Sequence, residues 1–307
     1  MERKEFYRIS SNGEGQVFSR SWVCENPWAI VQIAHGMAEY SNRYDEFAEK
    51  LVDIGVNVYA NDHLGHGLSK QGHQGTFAMK KGGFDYVLED MRTLFKYAEE
   101  QDGKLPKILL GHSMGSILAE LYASRYKDID GLILSGTVAP NSAVNAAIGI
   151  ANLHIAVHGH AWVSPLLKKL TDFGKKGDSP MERFSWISSD KNVVKKYVED
   201  EDCGFDFTSS ANREMFIGLK EVTSKDWAKN VPMIPILIAS GSEDPVGNKG
   251  AGPKYYYDQL LNAGHDKVTL KIYENDKHEI LNEVNREEVY LDMTNWINEE
   301  IKEQLIV

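Results

Sequence analysis

Ser113 stands in a short segment whose residue types and spacing suit nucleophilic chemistry. It is the centre of Gly111-His112-Ser113-Met114-Gly115, so a glycine lies two residues away on each side. A sharp turn between a strand and a helix exposes a serine hydroxyl, and side chains at the flanking positions would collide across such a turn. The alternative is a glycine-rich turn in which Ser113 only caps the following helix. The apolar run before the glycines and the helical spacing after them favour the nucleophile elbow.

Asp244 and His278 are the residues predicted to activate this serine. A hydroxyl becomes a good nucleophile when a base accepts its proton and an acid orients that base. Asp244 follows the apolar strand PILIASG, and His278 lies between the last predicted strand and the last helix. The order serine, aspartate, histidine is one of the known chain orders of this triad. Asp276 and Glu279 are weaker candidates for the acid because they adjoin the histidine in sequence, and Asp244-Pro245 is also a common turn dipeptide.

Two backbone N–H groups are predicted to bind the negative oxygen that forms during such a reaction. Met114 follows the nucleophile at the start of a helix, where its amide has no partner within that helix. Met37 follows Gly36 in IAHGMAEY, directly after the first long strand. A strand-ending turn at His35-Gly36 is the alternative interpretation of this segment. We expect the Met37 and Met114 amides to form the oxyanion hole.

Alternating strands and helices must hold these groups together. The first two strands, joined by Asn12-Gly13, predict an antiparallel edge, and the continuously apolar strands that follow predict a buried parallel sheet. The segment SNRYDEFAEKLVDIG predicts a helix that begins at Ser41 as its N-cap. Together they predict an α/β fold with a mostly parallel eight-stranded sheet flanked by helices. The predicted strands are EFYRIS, QVFSRSWVC, WAIVQIAHG, VNVYAND, KILLG, GLILSG, PILIASG and KVTLKIYEND.

The alternation stops between the sixth and seventh predicted strands. Residues 138–231 have helical patterns and no strong strand, which predicts a helical cap inserted into a catalytic domain made of residues 1–137 and 232–307. The early part of this insert, AAIGIANLHIAVHGHAWVSPLL, is strongly apolar but has few basic residues. Internal packing with some pocket lining is therefore favoured over docking on a membrane. Trp162 and Trp186 fit either a pocket wall or the core.

Five segments together resemble the serine α/β-hydrolases of the monoacylglycerol lipase and lysophospholipase family. They occur in the family's order over residues 35–284, and the insert matches none of them. The chain differs from the family pattern at Ser116, where glycine is usual, and at Tyr40, where histidine often stands. The segments are HGMAEYSNRY, NDHLGHGLS, GHSMGS, GSEDPVG and KHEILNE.

The resemblance implies an α/β-hydrolase fold and an ester hydrolase that needs no cofactor. It implies Ser113 as nucleophile, Asp244 as acid and His278 as base, with the Met37 and Met114 amides as oxyanion donors. These assignments agree with those drawn from the residues themselves.

Other clusters and the overall composition exclude several functions. The formal net charge of -11 argues against a nucleic-acid partner, because phosphate binding needs concentrated Lys and Arg. The pair His63 and His66 resembles a metal site, as does the histidine group at 154–160, but zinc needs three or four converging ligands. We expect no metal and no cofactor, and we expect the loop with the first pair to pack beneath the site through Gly65 and Gly67.

Cysteine use and apolar runs bear on location. Cys24 and Cys203 form at most one bridge, and two free thiols are the simpler expectation. The N-terminus has no apolar run behind its basic residues, and no stretch of eighteen apolar residues occurs. A cytoplasmic protein is expected, with at most transient membrane contact through the cap.

Hydrolysis of carboxylic esters is thus the predicted activity, with monoacylglycerols or lysophospholipids as substrates. The alternative is a small-molecule carboxylesterase acting on short-chain, aryl or hydroxycinnamoyl esters. A peptidase would need an acidic pocket for an α-ammonium group, and a non-hydrolytic receptor would have no use for the triad. Dehalogenases and epoxide hydrolases place an aspartate where this chain has Ser113.

Overall fold

Eight strands form one sheet in the computed structural model, which describes residues 1–70, 74–77, 82–173 and 179–305. The strands are β1 (Glu2–Ile9), β2 (Gln16–Val23), β3 (Ala29–Ala34), β4 (Val56–Asn61), β5 (Lys107–His112), β6 (Gly131–Ser135), β7 (Ile236–Gly241) and β8 (Val268–Tyr273). Their order across the sheet is β1-β2-β4-β3-β5-β6-β7-β8. β2 pairs antiparallel with β1 and β4, and all other neighbours are parallel. The predicted α/β fold with a mostly parallel eight-stranded sheet is confirmed.

Helices cover both faces of the sheet because its strands are apolar on both faces. In β5, Leu109 packs into one core, whereas Ile108 and Leu110 pack into the other. The helices are α1 (Asp45–Asp53), α2 (Gly83–Asp102), α3 (Met114–Tyr126), α4 (Val144–His158), α5 (Pro165–Thr171), α6 (Pro180–Arg183), α7 (Lys191–Glu199), α8 (Ser209–Val222), α9 (Trp227–Asn230), α10 (Ala251–Asn262) and α11 (Arg286–Ile297). α2, α3 and α10 share the core of Leu109, and α1 and α11 share the other.

In the described ranges, six helices, α4 to α9, lie between β6 and β7, and we call this stretch the cap. Within the described part of the cap the chain forms no strand. α4 packs along α8, which in turn packs on α3, so the cap rests on the helix that begins beside Ser113. The division of the chain at residues 138 and 231 stays a prediction. Of the helices in the described ranges, none combines the length and the apolar character needed to cross a membrane.

The predicted N-cap at Ser41 is wrong. Ser41 begins a short 3-10 turn, Ser41–Tyr44, which precedes α1 and has no side-chain cap. The Ser41 hydroxyl and amide both donate to Asp62 Oδ1 instead. Asp62 is fully buried, and an ionised carboxylate in that position needs donors. The Ser41 side chain therefore bonds to a residue distant in sequence, whereas local preference assigned it to the N-terminus of the helix.

The prediction of internal packing for the early insert is correct for one side of α4 and wrong for the other. Val144, Ala147 and Ala151 are buried in the main core. Leu153 and Val157, in contrast, are 60% and 65% exposed. Because α4 is apolar around most of its circumference, the helix leaves a water-facing apolar side after it has filled the core.

Candidate active site

The strand-to-helix junction places Ser113 at a sharp turn. β5 ends at His112, α3 begins at Met114, and Ser113 itself has a φ of 55° and a ψ of -118°. The Ser113 backbone amide donates to the Ser135 carbonyl of β6 at 2.9 Å, which fixes the turn against the neighbouring strand. A side-chain-bearing residue with positive φ is strained, and such strain occurs mainly where the neighbouring structure fixes the backbone for function.

The three glycines that the sequence predicts as support permit close backbone approaches. A Cβ on Gly111 would lie 2.2 Å from the Gly115 carbonyl oxygen, and one on Gly115 would lie 2.0 Å from the Ala34 oxygen. A Cβ on Gly36 would lie 2.8 Å from Glu39 Oε1. Side chains cannot fit at these distances, so the turn of Ser113 and the end of β3 meet only because glycine stands at each position.

His278 and Asp244 meet behind the turn. Nδ1 of His278 lies 3.0 Å from Oδ2 of Asp244, and both side chains are almost completely buried. Because a carboxylate can only accept, the proton resides on Nδ1, and Nε2 is left as an acceptor. Asp244 is also held by the Val246 amide, which donates to Oδ1 at 2.8 Å. The arrangement can orient an imidazole that accepts a proton.

The electrostatics of the pair favour this arrangement. Burial raises the pKa of Asp244, but the neighbouring His278 and the Val246 amide outweigh it and hold that pKa below its usual range. Burial lowers the pKa of His278, but the Asp244 charge and hydrogen bond outweigh it, so the net shift is upward. His112, whose ring centroid is 4.7 Å from that of His278, has its pKa lowered to about 4 by burial and by His278. The aspartate is therefore ionised, and His112 is neutral beside His278.

One cavity joins the predicted nucleophile, base and oxyanion donors. It encloses about 290 Å³ and is lined by Gly36, Met37, Ser113, Met114 and His278. Its remaining wall is mainly apolar and comes largely from the cap. These apolar lining residues include Ile117, Val138, Leu170, Phe173, Phe184, Trp186, Ile187, Phe205, Met215, Phe216, Leu219 and Val246. The cavity fits an apolar ligand whose polar end lies beside Ser113.

The predicted oxyanion donors both face this cavity. Met114 is the first residue of α3, where an amide has no acceptor within the helix. Along the described chain, the Met37 N–H donates to no protein acceptor. Both groups are thus available to an oxygen atom placed beside Ser113.

An ion-pair network that the sequence reasoning did not assign connects the oxyanion segment to the base loop. Arg43 contacts Glu39 at 2.7 Å and Glu279 at 2.6 Å. Glu39 also accepts from the Gly36 amide at 2.6 Å and from Tyr44 Oη at 2.9 Å. The signal was present in the sequence, since HGMAEYSNRY carries four of these residues at fixed spacing. The pairing of Glu279 with Arg43 also removes it as an alternative partner for His278.

Trp186 of the cap packs against the base. Its ring centroid lies 5.1 Å from that of His278. The base loop also donates two backbone hydrogen bonds to the cap, from His278 to Trp186 at 3.4 Å and from Glu279 to Ile187 at 2.8 Å. Trp186 is therefore a cavity wall, whereas Trp162 stacks on His158, with ring centroids 4.0 Å apart, elsewhere in the cap.

Three buried histidines, His35, His63 and His66, form a cluster of ring contacts. His63 and His66 pack against His35 with centroids 4.0 and 5.1 Å apart, and His35 Nε2 accepts from the His63 amide. Burial is the largest cause that lowers the pKa of all three, so they are neutral. In the described ranges, no three His, Cys, Asp or Glu side chains are arranged to hold a metal. Gly65 and Gly67 let this loop fold tightly, since a Cβ on either would lie within 2.4 Å of a neighbouring oxygen.

Ser116 and Tyr40, the two residues that differ from the family pattern, each donate a side-chain hydrogen bond. Ser116 Oγ donates to the Ser113 carbonyl at 2.7 Å, within the first turn of α3. Tyr40 Oη donates to Asp200 of the cap at 2.7 Å. Ser116 thus bonds within the turn that follows Ser113, and Tyr40 connects the segment that carries Met37 to the cap.

Comparison with known proteins shows the family of the chain. The family model described as serine aminopeptidase, S33, matches residues 25–285. The chain is 31% identical over 278 residues to a monoacylglycerol lipase from Mycolicibacterium smegmatis, covering 89% of each chain. It is 28% identical over 300 residues to the human monoglyceride lipase, covering 94% of this chain and 89% of that protein.

A solved structure has the same architecture. The carboxyl esterase from Bacillus coagulans, crystallised with glycerol, superposes with a TM-score of 0.90 at 30% identity. The match covers 98% of this chain and 99% of that protein. The catalytic class that the sequence predicts, a carboxylic ester hydrolase, is confirmed.

Proposed function

We propose that this chain, which belongs to the monoacylglycerol lipase family of serine α/β-hydrolases, hydrolyses neutral glycerol monoesters of apolar acyl chains through Ser113, His278 and Asp244. The observation that carries the proposal is the apolar cavity that ends beside Ser113 and His278. The acyl chain occupies the cap-lined wall, and its ester carbonyl lies beside the serine. The M. smegmatis relative, named a monoacylglycerol lipase, supports this substrate class.

In the proposed mechanism, Ser113 Oγ attacks the ester carbonyl carbon while His278 Nε2 accepts its proton. The Met37 and Met114 amides bind the oxyanion of the tetrahedral intermediate. His278 then gives the proton to the departing glycerol oxygen, which leaves an acyl group on Ser113. Water, deprotonated by His278, attacks that acyl group, and His278 returns the proton to Ser113 Oγ as the bond to the acyl group breaks and the fatty acid leaves. Asp244 keeps the histidine in the required tautomer and stabilises its charged form.

Charge pairing in the cavity supports a neutral head group. Among the described lining residues, Lys168 pairs with Asp206 at 2.5 Å, and Arg183 pairs with Asp172 at 3.2 Å. A phosphate-bearing lysophospholipid would have to compete with these carboxylates for a cation, whereas a glycerol head group would not. We therefore propose monoacylglycerols ahead of lysophospholipids.

The same pairing speaks against a peptidase. An aminopeptidase needs a carboxylate that is available to the substrate's α-ammonium group. Each acidic residue that lines the described cavity pairs with a cation, which is Arg43, Lys168 or Arg183. A small-molecule carboxylesterase is the second candidate, because the Bacillus coagulans relative is named an esterase.

The exposed apolar face of the cap is the proposed contact with lipid aggregates. Leu153 and Val157 of α4 are more than half exposed, and Leu170 and Phe173 are exposed and also line the cavity. The sequence of α4 contains no Asp, Glu, Lys or Arg. An apolar surface that continues into the cavity suits a substrate that enters from a lipid phase. Leu153→Asp with Val157→Asp should reduce binding to phosphatidylcholine vesicles and slow hydrolysis of emulsified substrate, with hydrolysis of soluble butyryl esters retained.

A cytoplasmic location is the remaining part of the proposal. Cys24 and Cys203 are free thiols, as expected in a reducing compartment. Detection of the native protein in a cytosolic fraction after cell lysis, with none in the membrane or external fraction, is the expected result.

Hydrolysis of 1-acylglycerols from butyryl to palmitoyl by purified protein tests the function. We expect kcat/KM to rise with acyl length and to exceed that for the matched lysophosphatidylcholine. Ser113→Ala should abolish the activity and labelling by a fluorophosphonate probe, whereas the matched control Ser124→Ala, in the same helix, should keep both. Preference for acetyl or aryl esters would instead support the small-molecule esterase.

A further inference from the structure

The carbonyl of Ala38, one residue after the proposed oxyanion donor Met37, is held by the cap. Tyr197 Oη donates to it at 3.0 Å, and the Gly204 amide donates at 2.9 Å. We propose that Tyr197 is a positioning residue that holds the oxyanion segment in its active conformation and couples it to the position of the cap. The inference rests on the proposed function, since it concerns the same ester hydrolysis.

The oxyanion segment needs an external hold because its backbone is strained. Ala38 has a φ of 55°, in the left-handed region that glycine adopts readily and alanine does not. A residue stays in such a conformation only when surrounding contacts fix it. The two hydrogen bonds from the cap are contacts of that kind.

Met37 therefore lies between two anchors. On its N-terminal side, Glu39 Oε1 accepts from the Gly36 amide at 2.6 Å, an anchor within the catalytic part of the chain. On its C-terminal side, the donors that the described residues offer to the Ala38 carbonyl are Tyr197 and Gly204, both of the cap stretch. When the cap donors are lost, Ala38 can relax towards negative φ and turn the Met37 amide away from the oxyanion.

Packing contacts fix the direction of the Tyr197 hydroxyl. It is 7% exposed. Phe184 packs against its ring with centroids 5.1 Å apart, and the Arg43 guanidinium lies 4.9 Å from its centroid. Burial raises the pKa of Tyr197 well above its ordinary value, so the hydroxyl keeps its proton and remains a donor. A phenylalanine in this position would keep the ring contacts and lose only the hydrogen bond.

Tyr197→Phe is the variant that tests the proposal, assayed on a soluble butyryl ester. Loss of a whole oxyanion donor costs about 10²- to 10³-fold in kcat, and a misplaced donor should cost about 10- to 100-fold. KM should change less than about twofold, because the ground-state carbonyl gains little from the oxyanion hole. Affinity for a trifluoromethyl ketone, which forms a tetrahedral oxyanion on the serine, should fall in proportion to kcat.

Two further variants separate positioning from other roles. Ala38→Gly in the Tyr197→Phe background should recover most of the lost kcat, because glycine adopts the required φ without strain. Tyr255→Phe is the matched control: Tyr255 Oη donates to the Thr223 carbonyl at 2.9 Å, another link between catalytic part and cap, far along the chain from the oxyanion segment. It should keep wild-type kcat and trifluoromethyl ketone affinity.

Three results would overturn the proposal: wild-type kcat in Tyr197→Phe, a raised KM with kcat kept, or no recovery on Ala38→Gly. The second would make Tyr197 a substrate contact. Thermal unfolding of each variant reports the folded fraction, and rates are expressed per folded molecule. These results are distinct from failure of the proposed function, in which the wild-type protein itself would not hydrolyse the ester.

Discussion

Arg43 offers the sharpest test of the site's energetics. Its guanidinium bridges Glu39 and Glu279 at 2.7 and 2.6 Å, and the three side chains are 13%, 4% and 6% exposed. Burial lowers the pKa of Arg43, but the two carboxylates outweigh it and raise that pKa well above its ordinary value. Replacement by methionine would keep much of the volume and leave two buried carboxylates without their cation.

The cost of Arg43→Met follows from that burial. Removal of one partner from a buried ion pair costs about 3–5 kcal/mol, because the remaining charge is uncompensated. At about 2.1 cal/mol/K of unfolding entropy per residue, the 307 residues give about 0.6 kcal/mol/K, so Tm should fall by about 5 to 8 °C. The deficit should shrink as pH falls, since a buried carboxylate without its cation has a raised pKa and is relieved by taking up a proton.

Thermal unfolding of Arg43→Met, followed by circular dichroism between about pH 5 and 8, measures this effect. Arg125→Met is the matched control, because Arg125 also bridges two carboxylates, Asp85 and Glu221, at 2.7 Å each, but is 35% exposed. Exposed pairs contribute about 1 kcal/mol or less each, so loss of the control's two pairs should lower Tm by about 3 °C at most. An Arg43→Met deficit no larger than that of the control, or one independent of pH, would refute the reasoning.

Four further predictions concern single groups. Gly115→Ala should destabilise the fold by about 3 kcal/mol, because the new Cβ would lie 2.0 Å from a backbone oxygen. Gly149→Ala should instead stabilise α4 by about 1 kcal/mol, because nothing lies within 4 Å of the new Cβ. Urea unfolding of the two variants measures both effects. Because the pKa of His278 is raised and the base must be neutral, the acid limb of kcat/KM should lie above about pH 6.5. Asp244→Asn should slow kcat by about 10⁴-fold, and an unchanged rate there would exclude the triad. Glu120, whose carboxyl oxygens have no partner in the described chain, has a pKa that burial raises well above its ordinary value. In the folded protein Glu120 keeps a proton that the unfolded chain releases above about pH 4.3, so this group lowers the free energy of unfolding by up to about 1.4 kcal/mol per pH unit as pH rises. Glu120→Leu removes this loss, so the Tm of the variant should exceed that of the wild type by an amount that grows from acid to neutral pH.

The elements around the nucleophile could be predicted because local physics determines them. β5 is apolar on both faces, which predicts a buried strand. The spacing of Gly111 and Gly115 has a steric cause. Both glycines allow backbone contacts that a Cβ would block. The eight strands followed from similar apolar runs and turn residues.

The two wrong predictions have a common cause. Ser41 is a good N-cap by local preference, but the buried Asp62 takes its hydroxyl and amide. α4 is apolar around most of its circumference, so no periodicity indicates which side meets the core and which side meets water. In both cases a contact distant in sequence decides the outcome, and neither contact leaves a local pattern.

A sequence motif predicts only part of the role of Arg43. HGMAEYSNRY fixes Glu39 and Arg43 at a spacing of four residues, which local reasoning treats as an ordinary helical or turn pair worth a few tenths of a kcal/mol. The fold adds Glu279, 236 positions away, and buries most of all three side chains. The same arginine then holds the oxyanion segment and the base loop together, while Tyr197 holds that segment from the cap. Because the two holds act on opposite sides of Met37, loss of Arg43 should change both stability and kcat, whereas loss of the Tyr197 hydroxyl should change kcat alone.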